Sequence, residues 1–264
     1  MRIGQHPIGP DHAPYVIAEV GSNHDGELDK ARRYIETAAW AGADAAKFQL
    51  FHPERLYPGQ WTPGAIEEWW LPELDAACKA SGVDFICSVF DRDTLNAYLE
   101  VDPVAVKIAS PESQNWGLLH AAGSTDRPVL VAVGASTGAD VAGLALEMFR
   151  YEWVLLHCTS AYPAPDAEAN LRVLTNLRIH EVPLGLSDHT LHGPAPALAV
   201  ALGASVIEKH LTFNRTLPGP DHGFALEPGE FRQMVGDVRK VRALLGDGVK
   251  RVTASEDATD RRAA

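Results

Sequence analysis

Cysteine is scarce: three in 264 residues, at Cys78, Cys87 and Cys158. Uneven spacing and an odd number argue against a disulfide framework, and a reducing cytoplasm is the expected compartment. All three read as small buried apolar side chains. No run of about 18 apolar residues is present, so no membrane-spanning helix is expected. The opening stretch, Met1 to Pro14, lacks the apolar core of a signal peptide. Positive charge is also in deficit, with 23 Lys+Arg against 35 Asp+Glu and a formal net charge of -12. That excludes a broad nucleic-acid-binding surface and leaves room for a small anion pocket.

What is present is a large stock of core-forming residues. Hydrophobic side chains make up 46%, and charged ones only 22%, which argues against disorder. Eight short, nearly continuous apolar runs recur: Tyr15–Val20, Ala45–Leu50, Asp84–Val89, Val104–Ala109, Pro128–Val133, Trp153–Cys158, Val182–Ser187 and Ser205–His210. Strands buried on both faces of a parallel sheet have this pattern. Helical spacing fills the gaps at 29–40, 65–80, 91–100, 116–122, 139–150, 166–179, 194–202 and 228–245. Gly42, Gly82, Gly203 and Gly246 stand where helix C-caps belong. Eight strand–helix units predict a single-domain α/β fold, a (β/α)₈ TIM barrel over residues 1–246. A doubly wound sheet is the alternative, but no glycine-rich dinucleotide fingerprint follows a strand. Residues 247–264 read as a polar C-terminal tail.

In such barrels the active site lies at the C-terminal ends of the strands. The residues that end the runs are Glu19, Lys47, Ser88, Lys107 with Ser110 and Glu112, Gly134, His157 with Thr159 and Ser160, Ser187 with His189, and Glu208 with Lys209 and His210. So many ionisable groups at one rim point to chemistry. A single buried lysine reads equally well as snorkelling or as paired with Glu19 or Glu112. Two lysines, Lys47 and Lys107, imply an anion between them, with Ser88, Ser110 and Ser187 as hydroxyl donors. His189 and His210 end adjacent strands, which suits a two-histidine metal site. The alternative is a loop His189 bonded to Asp188. His157, without a partner, reads as structural. Glu19 and Glu112 are candidates for proton transfer or hydroxyl recognition, or else counter-charges for the lysines. Asp221, between Pro220 and His222, is either a rigidly held substrate contact or a turn acid. Trp69 and Trp70 are expected to pack on the barrel, with exposure of one of them as the alternative.

These motifs resemble the sialic acid synthase family (N-acetylneuraminate synthase and relatives). The similarity rests on Ile17–Gly26, Ala41–Gln49, Lys107–Glu112, Leu156–Pro163, Leu186–Thr190, Ile207–His210 and Leu217–His222. The resemblance implies an enzyme that condenses phosphoenolpyruvate with the aldehyde of an N-acylhexosamine-like sugar, giving a 2-keto-3-deoxy sugar acid and phosphate. By the same resemblance Lys47, Ser88, Lys107, Ser110 and Ser187 would hold phosphoenolpyruvate. His189 and His210 would bind a divalent metal, Mn²⁺ first, then Mg²⁺ or Co²⁺. Glu19, Glu112, Tyr162 and Asp221 would meet the sugar, and a homodimer is implied. Ser160 stands where the family has an Asn near the phosphate. Ala132-Val133-Gly134 replaces a family Ser-Thr-Gly, and Ser110-Pro111-Glu112 a Ser-Gly-Glu. The segment from Tyr57 to Trp70 is shorter than usual. Family members continue past a Gly246–Thr253-like linker into a small antifreeze-like domain, whereas this sequence stops at Ala264. The departures leave room for aldolase- or lyase-type chemistry on another phosphorylated or carboxylated substrate, or for a non-catalytic barrel.

Overall fold

The eight apolar runs lie side by side and close on themselves. In a computed structural model, which describes residues 1–56, 58, 64–191 and 193–259, they form one parallel barrel in sequence order. Its strands are β3 (Tyr15–Glu19), β4 (Ala45–Leu50), β5 (Asp84–Val89), β6 (Val106–Ile108), β7 (Val129–Ala132), β8 (Trp153–Cys158), β9 (Leu184–Asp188) and β10 (Ala204–His210). β1 (Arg2–Ile3) and β2 (His6–Pro7) form an antiparallel hairpin before them. That hairpin is too short to leave a periodic signal in the sequence. It plugs the N-terminal end of the barrel, where buried Ile3 and Ile8 pack on Tyr15, Ile17, Ile86 and Leu130. Gly4 turns it at φ +52°, and a Cβ there would lie 3.1 Å from both Asp84 carboxylate oxygens.

The outer layer contains α1 (Leu28–Ala41), the short α2 (Pro53–Leu56), α3 (Leu71–Ser81), α4 (Arg92–Leu99), α5 (Trp116–Gly123), α6 (Gly138–Met148), α7 (Val173–Leu177), α8 (Ala195–Ala201) and α9 (Pro228–Leu245). A short α10 (Ala254–Thr259) lies in the tail. The larger core fills the space between these helices and the sheet, with Tyr34, Ile35, Phe48, Leu74, Tyr98, Leu144 and Phe231 buried. Caps fix the helix starts. Asp91 accepts from the Thr94 amide and Thr137 from the Asp140 amide, each cap contributing about 0.5–2 kcal/mol.

Two expected helices come out differently. The pattern over 65–80 begins as a 3₁₀ turn at Glu68–Trp70, and the α-helix starts at Leu71 because Pro72 belongs in a first turn. The pattern over 166–179 is broken. Asn170 sits at φ +41°, and α7 spans only Val173–Leu177 between two 3₁₀ turns. The Glu168 and Ala169 carbonyls instead accept from the Thr159 hydroxyl and His157 Nε2. Trp70 is buried, but Trp69 is 61% exposed. Within the shortened segment, residues 57 and 59–63 lie outside the described residues, as do 260–264 of the tail. Among the described residues no helix is long and apolar enough to cross a membrane.

Candidate active site

Strand register assembles the site. Glu19 on β3 stands level with Lys47 on β4 and with His210 on β10. Ser88 on β5 pairs in register with Lys107 on β6, and Ser187 on β9 with Glu208 on β10. Alternate residues point inward, so Lys47 and Gln49, Ser187 and His189, and Glu208 and His210 share one cavity at the C-terminal end of the barrel. Ser88, Lys107, Ser110, Cys158, Tyr162 and Glu19 complete its polar wall.

The charges form a compact network. Lys47 Nζ lies 2.7 Å from Glu19 Oε2, 3.6 Å from Glu208 Oε2 and 3.0 Å from the Ser88 hydroxyl. Lys107 Nζ lies 3.8 Å from Glu208 Oε1 and reaches the Ile108 carbonyl at 3.3 Å. Ser187 donates to Glu208 Oε1 at 2.7 Å, and Gln49 to Glu19 Oε1 at 3.0 Å. All four ionisable groups are buried. Burial pushes the Lys107 ammonium below the usual lysine range, with Glu208 opposing. Burial also disfavours charge on Lys47, but Glu19 and Glu208 outweigh it and hold its pKa up. Burial raises Glu19, and its Lys47 partner only partly offsets this. Glu208 suffers the same burial, yet two lysines hold it ionised, well below the usual carboxylate range. Of the two cavity carboxyls, Glu19 is thus the one whose surroundings favour holding a proton.

The two histidines face each other, ring centroids 5.6 Å apart. His189 Nδ1 lies 2.9 Å from the Thr159 carbonyl, which can only accept, so that nitrogen donates and Nε2 is the nitrogen left for a ligand. Asp188, expected as the alternative partner of His189, turns to the outer face of the barrel and binds Thr190 and Lys209. Burial lowers the His210 pKa to about 4, so the ring is neutral, and its buried Nδ1 has no hydrogen-bond partner among the described residues. Two facing imidazoles, one with an unpartnered buried nitrogen, fit a divalent cation. Among the described residues no third His, Cys, Asp or Glu completes a ready-made cluster. The remaining ligands would therefore come from water or substrate.

Other expected residues fall at varying distance. Tyr162 stacks over His189 with centroids 4.3 Å apart. Asp221 reaches the rim beside Gly21, where a Cβ would stand 2.5 Å from Asp221 Oδ2, 3.4 Å from Glu19 Oε1 and 3.4 Å from His210. Ser160 lies in an adjoining hydroxyl-lined pocket with Ser110, Ser113, Gln114 and Ser136. Gly134 separates the two spaces; its amide donates to Ser110, and a Cβ there would collide with Ser160 Oγ at 2.0 Å. Glu112 is not brought in. It sits on the 3₁₀ turn after β6 and accepts from Asn115 Nδ2 at 2.8 Å, outside the residues lining the cavity. His157 faces the helix layer, the structural position expected of it.

Three polar lining residues have no role predicted from sequence. Glu208 and Gln49 each lie two residues from a predicted site residue, so strand alternation was the available signal. Cys158, read as a small hydrophobe, has its thiol 3.7 Å from His189 Nδ1 and 3.6 Å from Ser110 Oγ. Burial raises its pKa, but those contacts outweigh it and hold the thiol below its usual range.

The chain is similar to known proteins over most of its length. The NeuB family model matches residues 62–250. The spore coat polysaccharide biosynthesis protein SpsE of Bacillus subtilis is 38% identical, covering 94% of this chain and 73% of that protein. An N,N'-diacetyllegionaminic acid synthase of Legionella pneumophila is 31% identical, covering 96% and 79%. Among solved structures, an N-acetylneuraminic acid (sialic acid) synthetase from Leptospira borgpetersenii, in complex with citrate, superposes with a TM-score of 0.93 at 32% identity, covering 98% of this chain and 94% of that one.

Proposed function

The chain belongs to the NeuB family of sialic acid-type synthases, and on that premise we propose that it is a metal-dependent synthase joining phosphoenolpyruvate to an N-acylhexosamine-like aldehyde. The observation that carries this reading is the convergence of Lys47, Lys107, Glu19, His189 and His210 on one cavity. Relatives are named for different products, among them legionaminic, pseudaminic and N-acetylneuraminic acid derivatives. The acceptor is therefore stated here as a class.

The overall chemistry forms a bond between the methylene carbon of phosphoenolpyruvate and the aldehyde carbon. The aldehyde oxygen takes up a proton and becomes a hydroxyl. Water adds to the central carbon, the C–O bond to phosphate breaks, and the products are inorganic phosphate and a 2-keto acid. Lys47 and Lys107 hold the carboxylate and phosphate, with Ser88, Ser110, Ser187 and Ser160 as hydroxyl partners. Glu208 keeps both lysines charged and oriented before substrate arrives. Glu19 is the proton carrier facing the aldehyde, while Tyr162 and Asp221 contact the sugar. A divalent ion on His189 and His210, Mn²⁺ in the first instance, would polarise the aldehyde oxygen or orient water. It would also balance charge: two lysines already face two carboxylates, so an incoming polyanion needs further positive charge or a proton on Glu19.

The test is phosphate release from phosphoenolpyruvate with Mn²⁺ and a panel of N-acylated hexosamines. Release that requires both the sugar and the metal is expected. Product formation without phosphoenolpyruvate would favour the aldolase- or lyase-type alternative and overturn this reading. We further propose a cytoplasmic homodimer, to be checked by sedimentation, where a monomer at working concentration would refute it.

A further inference from the structure

The loop after β10 carries three consecutive features with different directions. Asp221 turns to the rim, where Oδ2 accepts from the Ser22 amide at 2.9 Å and its hydroxyl at 2.8 Å. Phe224 packs on the His210 ring with centroids 4.8 Å apart, and on Tyr162 at 5.2 Å. His222, between them, points the other way and is completely buried.

His222 is held at both nitrogens. Nε2 lies 3.3 Å from Asp25 Oδ1, and a carboxylate only accepts, so Nε2 carries the proton. Nδ1 lies 2.6 Å from the Thr212 hydroxyl. Lys30 pairs with the other Asp25 oxygen. Asp25 itself stands at φ +52°, in the loop that also contains Gly21 and Ser22. The loop backbone wraps the ring so closely that a Cβ on Gly219 would lie 2.8 Å from His222 Cδ2.

We infer that Thr212, His222 and Asp25 form a clasp that ties the loop after β10 to the loop after β3, and that His222 is thereby a positioning residue for Asp221 and Phe224. A histidine buried with two hydrogen bonds from two different segments fixes both the distance and the angle between them. The inference rests on the proposed function only in treating Asp221 as a sugar contact. None of Thr212, His222 and Asp25 lines the cavity that holds Lys47 and Lys107. Loosening it would therefore disturb the acceptor's seat and leave that of phosphoenolpyruvate alone.

Two readouts on the full chain test this. The first is amide hydrogen exchange at Ser22, whose N–H is held by Asp221. In Thr212→Val and His222→Gln, exchange at Ser22 should rise about tenfold while the β4 and β5 amides keep their protection, and Thr212→Ser should restore it. Unchanged protection at Ser22 in both variants would overturn the clasp. Where His222→Gln does not fold, Thr212→Val decides. The second readout is steady-state kinetics with phosphoenolpyruvate, Mn²⁺ and the turned-over N-acylated hexosamine. Thr212→Val should raise the sugar KM about tenfold with the phosphoenolpyruvate KM within twofold of wild type. Parallel changes in both KM values, or none in either, would remove the positioning role. Should the wild-type protein release no phosphate, the condensation reading fails, and the Ser22 exchange still decides the clasp.

Discussion

Two buried ion pairs, one on each face of β10, behave oppositely. On the outer face Lys209 is saturated: its ammonium binds Asp188 Oδ2 at 2.7 Å and the Thr190 carbonyl, while Asp188 Oδ1 accepts from the Thr190 amide and hydroxyl. On the inner face Lys107 has one carbonyl at 3.3 Å and a carboxylate no nearer than 3.8 Å, and Glu208 Oε2 has no hydrogen-bond partner among the described residues. Both lysines are buried to within a few per cent. The difference is satisfaction. A saturated pair holds the wall together, whereas a half-satisfied one keeps hydrogen-bonding capacity in reserve for a ligand, at a cost to the empty fold.

Replacing each lysine separates the two roles. Lys107→Met is expected to cut kcat/KM by about 10²–10³-fold through loss of an anion contact. Its unfolding free energy in urea should stay within about 1 kcal/mol of wild type, because Ser187 and Lys47 still hold Glu208. A large loss of stability in Lys107→Met would make that lysine structural and break the contrast. Lys209→Met should do the reverse, destabilising by about 3–5 kcal/mol because Asp188 is left buried without its cation, and denaturant unfolding checks this. Calorimetry of Mn²⁺ binding comes next in size: His189→Ala and His210→Ala should each weaken it by at least about tenfold, the scale of losing one metal-binding contact. The smallest effect is expected at Glu112→Gln. Held by Asn115 outside the cavity, it should leave kcat and both KM values within about twofold of wild type, as for a surface substitution. A hundredfold fall there would return Glu112 to the reacting groups.

The barrel was legible because a parallel strand buried on both faces leaves an unbroken apolar run, and eight of them survive as such. The rim was legible for the same reason, since polar residues ending such runs have few other places to go. What the runs did not declare was direction. Lys209 and His210 are neighbours on one strand and face opposite layers, a distinction available only by counting alternation from Glu208. Glu112 lies beyond its strand in a turn that has no period to count. The helix expected at 166–179 failed at Asn170, where a left-handed backbone and side-chain donors from β8 and the residue after it took over the Glu168 and Ala169 carbonyls. The clasp at His222 joins residues far apart in sequence, and no local pattern encodes that contact.

On the proposed function, the inner pair is open because a substrate anion binds there. A crystal soaked with phosphoenolpyruvate and Mn²⁺ should show the anion between Lys47 and Lys107, with the ion on His189 and His210. An anion bound elsewhere, with Lys47 still closed on Glu19 and Lys107 still facing Glu208, would contradict it.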